Sequence, residues 1–236
     1  MTAVSAATPV AQPKWARRRH RLLLLLAFTS GAIDAVGLVA LGGVFTSVMT
    51  GNMIFLGAGM ATGDEEGALR ALVAILAFMT GAFVGARIAG SSRQHDDPWP
   101  RAVSIALTVE LLLLLGFSAA WWFSAGDPGA RLQILLLATV AIALGVQSSA
   151  ILRFGIQGLS TTYMTGTMTS IMSALAARRH PKNVVASAQI LVSLISGAGA
   201  AAVVHEVAPL AVPVLQFGPV LLVLACARSV RKHRAE

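Results

Sequence analysis

Six long apolar segments constrain this chain more than any other feature of its sequence. A helix needs about 20 largely apolar residues to cross a membrane, and six stretches reach that length. They cover roughly residues 22–44, 68–90, 101–124, 131–152, 183–204 and 207–227. Charged residues make up only 12% of the chain, whereas a soluble domain carries about 25%. The sequence therefore predicts an all-α fold, a polytopic transmembrane helix bundle.

The chain divides into one membrane domain and two basic ends. Residues 1–20 are expected to form a disordered basic tail, 21–227 a single transmembrane domain, and 228–236 a basic cytoplasmic tail. The run Arg17–Arg21 followed by leucines also resembles an export signal. However, the apolar stretch continues to about Val44 without a convincing cleavage site. We interpret it as a first span that the mature protein retains.

Two shorter segments, roughly 46–62 and 161–177, decide the topology. If both enter the membrane and return to the same side, all but two of the 18 Lys and Arg residues face the cytoplasm. If both cross, four basic residues lie outside. The positive-inside rule favours the first arrangement. It gives six full spans plus two re-entrant segments, with both termini in the cytoplasm.

An internal repeat relates the two halves of the chain, about 21–124 and 131–227. Gly43–Met53 reads GVFTSVMTGNM and Gly158–Met168 reads GLSTTYMTGTM, identical at six of eleven positions. With three full spans in each half, the second copy is inverted relative to the first. This is the plan of many transporters and channels.

The repeated Met-Thr-Gly motif marks a place where irregular backbone enters a helix. Thr and Asn favour helix N-caps, and Gly permits unusual dihedral angles. Helix N-termini carry partial positive charge, which suits an anionic or polar solute. Small residues at these positions can equally serve close helix packing, with Thr hydroxyls bonding across helices. Both interpretations stay open.

Two acidic residues, Asp34 and Glu110, fall near the middle of predicted spans. A charge there costs roughly 2.5–3.5 kcal/mol on insertion scales, so such residues are candidate proton carriers, cation ligands or substrate contacts. A protonated acid that only packs is the other interpretation. Gln147 lies in the counterpart of the Asp34 region. The predicted substrate or ion site comprises Asp34, Thr50, Gly51, Asn52, Gln147, Thr165, Gly166 and Thr167, with Glu110 as a secondary candidate.

Other classes of function find little support in the sequence. It holds no HExxH, GxSxG or GxxxxGK[ST] motif, so no catalytic residues are predicted. With a single cysteine, Cys226, and no ligand cluster, neither a metal nor a cofactor is expected. The net charge of +8 flanks apolar segments, which indicates contact with membrane lipids and not with nucleic acid. Small-residue faces would permit a homo-oligomer.

These motifs resemble the YoaK-type family of bacterial inner-membrane proteins, a family of unknown function. A Gly-x-x-Asp-Ala segment before Thr-Gly-Asn appears here as Gly31–Ala35 and Thr50–Asn52. A Gly-x-Gln before Thr-Gly-Thr appears as Gly145–Gln147 and Thr165–Thr167. The match runs over roughly residues 20–230 and departs at Ser148, where the family often has Asn. The resemblance implies a bacterial inner-membrane location and supplies no mechanism.

Two functional hypotheses follow from these patterns. The first is a small transporter or channel for an unknown solute or ion, with a midplane site between the two repeats. The second is a non-transporting membrane scaffold or assembly factor, in which the same motifs only pack helices.

Overall fold

The structure, a computed structural model, describes residues 14–90, 97–154, 164–177 and 181–232. These form eight α-helices and a 3-10 turn, Pro209–Ala211, which confirms the predicted all-α fold. The helices are α1 Lys14–Ala40, α2 Met49–Thr62, α3 Glu65–Ala89, α4 Arg101–Phe123, α5 Ala130–Leu152, α6 Met164–Ala176, α7 Pro181–Val207 and α8 Val212–Lys232.

Helix length separates the spans from the short segments. Six stretches are long and apolar enough to cross a membrane, one each in α1, α3, α4, α5, α7 and α8. The short helices α2 and α6 have 14 and 13 residues. At 1.5 Å per residue each is about 20 Å long, less than the roughly 30 Å of a bilayer core. Six spans and two short segments are therefore present, as predicted.

Glycines set where α1 and α2 end. Gly42 and Gly43 have φ values of 101° and 80°, in the left-handed region that side chains with a Cβ avoid. The first helix therefore stops at Ala40, before the predicted 44. Gly63, with φ of 79°, ends α2 in the same way. The Asp64 side chain then accepts a hydrogen bond from the backbone N–H of Gly67, 3.0 Å, and caps α3.

Helices extend into both segments that the sequence predicts as tails. Residues 14–20, which the sequence predicts as part of a disordered tail, form the first turns of α1. The Arg19 guanidinium lies over the ring of Trp15 within α1 and, as a tertiary contact, over the ring of Phe154. His20 Nε2 also lies 2.8 Å from Oε1 of Gln189 in α7. At the other terminus α8 continues through Lys232, so the tail expected from 228 begins inside a helix.

The helix contacts follow the internal repeat: each contact made by a helix of one half is also made by the corresponding helix of the other half. Helix α1 packs against α7 and α8, and its counterpart α5 packs against α3 and α4. The α4–α8 contact maps onto itself. The most extensive contacts, α1 with α7 and α5 with α3, thus join a first helix of one repeat to a third helix of the other. This pairing agrees with the predicted internal repeat.

Glycines bring the backbones of these two helix pairs together. A Cβ added at Gly31 would lie 2.8 Å from the carbonyl carbon of Leu194 in α7, and one at Gly81 would lie 2.7 Å from that of Ile142 in α5. The repeat-related positions behave alike, since Gly197 faces Phe28 and Gly145 faces Phe78. Small residues at membrane-helix interfaces permit such close approach.

Contacts at the helix ends fix the helix directions. The Arg19 guanidinium near the start of α1 lies 5.5 Å from the ring of Phe154, just after α5. Helices α1 and α5 are therefore antiparallel, and the second repeat is inverted relative to the first. At the other end Gly42, just after α1, contacts the Arg70 side chain in the first turns of α3. The α2 segment thus enters and leaves at one end of the bundle.

The α6 segment behaves in the same way at the opposite end. Helix α7 runs parallel to α1, because Ser193 Oγ donates to the Leu24 carbonyl and Gln189 contacts His20. It therefore starts at the end of the bundle where α5 finishes. The two short helices consequently belong to re-entrant segments from opposite ends, as the charge distribution predicts.

The two ends of the bundle differ in charge. One, called the basic end, carries the starts of α1 and α4 and the ends of α3 and α5. Its described residues include Lys14, Arg17, Arg18, Arg19, Arg21, Arg87, Arg101 and Arg153. The other, called the mixed end, carries Asp64, Glu65, Glu66, Arg70, Asp127, Arg131, His205 and Glu206. Between them the bundle exposes apolar side chains such as Phe83 at 66% and Leu112 at 63%, a surface suited to lipid.

Candidate functional site

Asp34 holds the backbone that follows α1. Its Oδ1 accepts hydrogen bonds from the backbone N–H of Thr46 at 2.8 Å, the Thr46 hydroxyl at 2.9 Å and the backbone N–H of Ser47 at 2.8 Å. Its Oδ2 accepts from the Ser47 hydroxyl at 2.5 Å. The residue is only 8% exposed. Both carboxyl oxygens are therefore occupied by one short segment.

Asn52 holds the same segment from the other side. It lies in the first turn of α2 and is fully buried. Its Oδ1 accepts from the Phe45 backbone N–H at 2.9 Å, and its Nδ2 donates to the Phe45 carbonyl at 2.6 Å. The Phe45 ring also stacks on Phe55 of α2, with centroids 6.0 Å apart. The Asn52 amide thus makes two hydrogen bonds to the backbone of a single residue, Phe45.

Together these residues form what we call the loop clamp: Asp34, Asn52 and the segment Phe45–Ser47. The backbone N–H groups of three consecutive residues all donate to its two side chains. Non-helical backbone inside a membrane protein must satisfy its polar groups internally. The clamp does this for the re-entrant turn and fixes where α2 begins.

Gln147 joins α5 to α1 beside the clamp. Its Nε2 donates to the Ser30 hydroxyl at 2.7 Å and approaches the Leu26 carbonyl at 3.4 Å. Ser30 and Asp34 are four residues apart, so they occupy the same face of α1 on successive turns. The structure thus places Gln147 about one turn from Asp34, and both are buried.

The repeated Thr-Gly motifs match each other in burial. Thr50 and Thr165 are exposed, Gly51 and Gly166 are half-buried, and Asn52 and Thr167 are buried. Helix α2 packs against α3, and α6 packs against α7. The approach to α6, residues 155–163, lies outside the described residues. In the described part of the chain α2 and α6 do not pack extensively against each other, so the predicted meeting of the two helix starts stays a prediction.

Glu110 lies apart from the loop clamp. It is fully buried in α4, which packs against α5, α8 and α3. Neither carboxyl oxygen has a hydrogen-bond partner among the described residues. Asp34 and Asn52 therefore share the loop clamp, with Gln147 beside it, whereas no hydrogen bond links Glu110 to these residues. Among the residues that the structure describes, no three His, Cys, Asp or Glu side chains group as a metal site.

Sequence reasoning missed four residues of this site: Ser30, Phe45, Thr46 and Ser47. One signal was present, because Thr46 is identical to Thr161 in the repeat. This identity indicated that the two repeats share a loop, but it did not indicate which side chain bonds to Thr46. Nothing in the spacing shows that the chain folds back onto Asp34. Ser30 carried no signal of its own.

Comparison with known proteins places the chain in a family. A family model described as Protein of unknown function (DUF1275) matches residues 22–227. UPF0700 transmembrane protein YoaK of Bacillus subtilis (strain 168) is 33% identical over 160 residues, which cover 68% of each chain. No solved structure matches. The chain belongs to the YoaK (DUF1275) family, as its motifs indicated, and it is an integral membrane protein.

Proposed function

We propose that this member of the YoaK family is a small transporter or channel, and that the re-entrant segments contact its solute. The observation that carries the proposal is the inverted repeat with short helices entering from opposite ends. Inverted repeats with interrupted helices place substrate sites near the membrane midplane in many transporters. Membrane lipids and a small anionic or polar solute are the partners in this proposal.

The position of the loop clamp supports this role for the start of α2. Asp34 lies six residues before the end of α1, so the clamped segment sits about 9 Å back from that end at 1.5 Å per residue. Helix α2 therefore starts below the end of the bundle, with Thr50 of its first turn exposed. The N–H groups of Met49, Gly51 and Asn52 already donate to the Ser47 and Val48 carbonyls. The first turn therefore contributes the partial positive charge of a helix N-terminus, which favours an anionic or polar group.

The proposed location is the cytoplasmic membrane of a bacterium, with both termini in the cytoplasm. The basic end supports this orientation, because Lys and Arg accumulate on the cytoplasmic side of membrane proteins. Single cysteines in a Cys226→Ser background test it. Labels at Asp64, Asp127 and Glu206 should react from outside intact cells, and labels at Arg21 and Arg101 should not. The opposite labelling would reverse the orientation.

A second candidate function is a non-transporting scaffold or assembly factor. One observation favours it: the polar atoms of Asp34 and Asn52 are already bonded to the backbone and hydroxyl groups of the protein's own segment Phe45–Ser47. In that function the clamp serves only to hold a re-entrant turn in place.

Solute-dependent currents separate the two functions. The full chain, reconstituted in liposomes on a solid-supported membrane, is exposed in turn to chloride, formate and phosphate, with protein-free liposomes as background. A transporter or channel gives a saturable signal with at least one probe. Thr50→Val tests the site, because Thr50 is exposed in the first turn of α2. Thr108→Val on α4 is the matched control, since its hydroxyl bonds its own helix at Ser104.

Loss of signal in Thr50→Val with an unchanged signal in Thr108→Val supports transport through the α2 start. Equal signals in both variants would mean that the solute does not bind at the start of α2. Folded protein that gives no signal above background with any probe would favour the scaffold.

A further inference from the structure

Glu110 occupies the middle of a spanning helix without any of the partners that stabilise Asp34. It is the tenth residue of α4, Arg101–Phe123, and its exposed fraction is 0%. Buried apolar residues of the same helix, among them Leu107 and Leu114, lie one turn before and after it. Its carboxyl group is therefore enclosed in the apolar interior of the bundle.

Among the side chains that the structure describes, no charge on the neighbouring helices bonds to this carboxyl group. The charged residues of α3 are Glu65, Glu66, Arg70 and Arg87, those of α4 itself include Arg101, and α5 contributes Arg131. All lie in the first two turns or the last turn of their helices, far along the bundle axis from the centre of α4. On α8, Arg228, Arg231 and Lys232 lie in the last two turns, and Cys226 is the titratable residue before them. Both oxygens of Glu110 lack a hydrogen-bond partner among the described residues.

The chemistry of such a site selects the neutral acid. A carboxylate without a hydrogen-bond donor or a cation is strongly disfavoured in an apolar interior, so the group keeps its proton. It loses that proton only when water or a cation reaches it. A carboxyl group in this position therefore reports, by its protonation, whether the bundle interior is closed or open.

We propose that Glu110 is a proton-binding site, and that it loses and regains its proton as the helices around it open and close. The acid holds its proton while α3, α5 and α8 enclose it, and an opening that admits water lets the O–H bond break. The proton passes to water as hydronium, and the carboxylate takes a proton back when the interior closes. Coupling to solute rests on the proposed function, whereas the protonation of Glu110 does not.

Infrared spectroscopy of the full chain in ether-lipid vesicles, whose lipids lack the ester carbonyl that absorbs in the same region, tests the protonation directly. A protonated carboxyl group gives a C=O stretching band that a carboxylate lacks. We expect this band at neutral pH in the unmodified protein and its loss in Glu110→Gln. Glu206→Gln is the matched control, because the same change removes an exposed acid at the end of α7. The control should keep the band.

Proton uptake provides the second measurement. Liposomes loaded with a pH-sensitive dye and given an inward proton gradient, with valinomycin to balance charge, should acidify faster with the unmodified protein than without protein. Glu110→Gln should fall to the rate of protein-free liposomes, and Glu206→Gln should not.

Two outcomes overturn the proposal. One is a missing band at neutral pH, or a band that Glu110→Gln retains. The other is a Glu110 band with proton uptake unchanged in Glu110→Gln, which would reduce the residue to a packing role. If both expected results hold while no solute probe gives a current, the transport proposal fails and the proton site stands.

Discussion

The two acids inside the bundle, Asp34 and Glu110, look alike in the sequence and differ completely in the structure. Asp34 accepts four hydrogen bonds from Thr46 and Ser47. Glu110 accepts none from any described residue. Both side chains are buried, at 8% and 0% exposure. Burial alone therefore does not define the role of a membrane carboxyl group; the donors around it do.

The difference assigns the two acids opposite relations to stability. A carboxylate that satisfies backbone N–H groups contributes to folding, because those donors have no other partner inside a membrane. A buried acid without hydrogen-bond donors lowers the stability of the folded protein, and other interactions must offset that loss. Functional residues in membranes are often costly in this way, and this is the physical basis for proposing Glu110 as the proton site.

Replacement of Asp34 by Ala should have the largest effect on stability. It leaves two backbone N–H groups and two hydroxyls of the loop without an acceptor, at roughly 1–3 kcal/mol for each buried donor that stays unsatisfied. We expect the free energy of unfolding to fall by about 3–5 kcal/mol. Unfolding in mixed SDS micelles, followed by the fluorescence of the four tryptophans, measures it. A loss below about 1 kcal/mol would mean that water replaces the carboxylate.

Asn52→Ala should destabilise the protein by about 2 kcal/mol, because it removes both bonds to the Phe45 backbone and leaves a buried N–H and C=O unsatisfied. The same unfolding measurement applies. Asn52→Asp is a sharper comparison, since it keeps the acceptor for the Phe45 N–H but places a second oxygen against the Phe45 carbonyl. It should therefore lose at least as much stability as Asn52→Ala, and a smaller loss would show that the bond from the Phe45 N–H carries most of the effect.

Glu110→Met should act in the opposite direction and stabilise the protein by about 1–2 kcal/mol. Methionine has a similar length and removes an unsatisfied polar group from an apolar interior. Stability measured in the same micelles should rise while proton uptake in liposomes is lost. A strong loss of stability would show that Glu110 has a stabilising partner and would remove the contrast with Asp34.

Thr46→Val should have the smallest effect, a loss of about 1 kcal/mol. It removes the hydroxyl bond to Asp34 at 2.9 Å and keeps the backbone bond at 2.8 Å. Thr108→Val, which removes a hydroxyl bonded within its own exposed helix face, serves as the control and should change stability less. Equal effects of the two changes would indicate that the hydroxyl adds nothing to the clamp.

Much of the fold was accessible from the sequence because it depends on local properties. Hydrophobic length gave the six spans, and the distribution of Lys and Arg favoured two re-entrant segments over two more crossings. The repeat of Gly43–Met53 in Gly158–Met168 predicted two inverted halves. In the structure the glycines of these halves lie where α1 packs against α7 and where α3 packs against α5. These signals lie in adjacent residues or in a chain-wide pattern, so no tertiary contact is needed to detect them.

The roles of individual residues depended on the tertiary structure. The sequence marked Asp34, Asn52, Gln147 and Glu110 as polar groups in an apolar setting, but it did not say which of them would find partners. That was decided when the Gly42–Gly43 turn reversed the chain and brought Thr46 and Ser47 back to Asp34, twelve and thirteen residues along the chain. It was decided again when helix packing enclosed Glu110 with no donor. A hydrogen bond depends on position within a few tenths of an ångström, and only the folded chain fixes positions that closely.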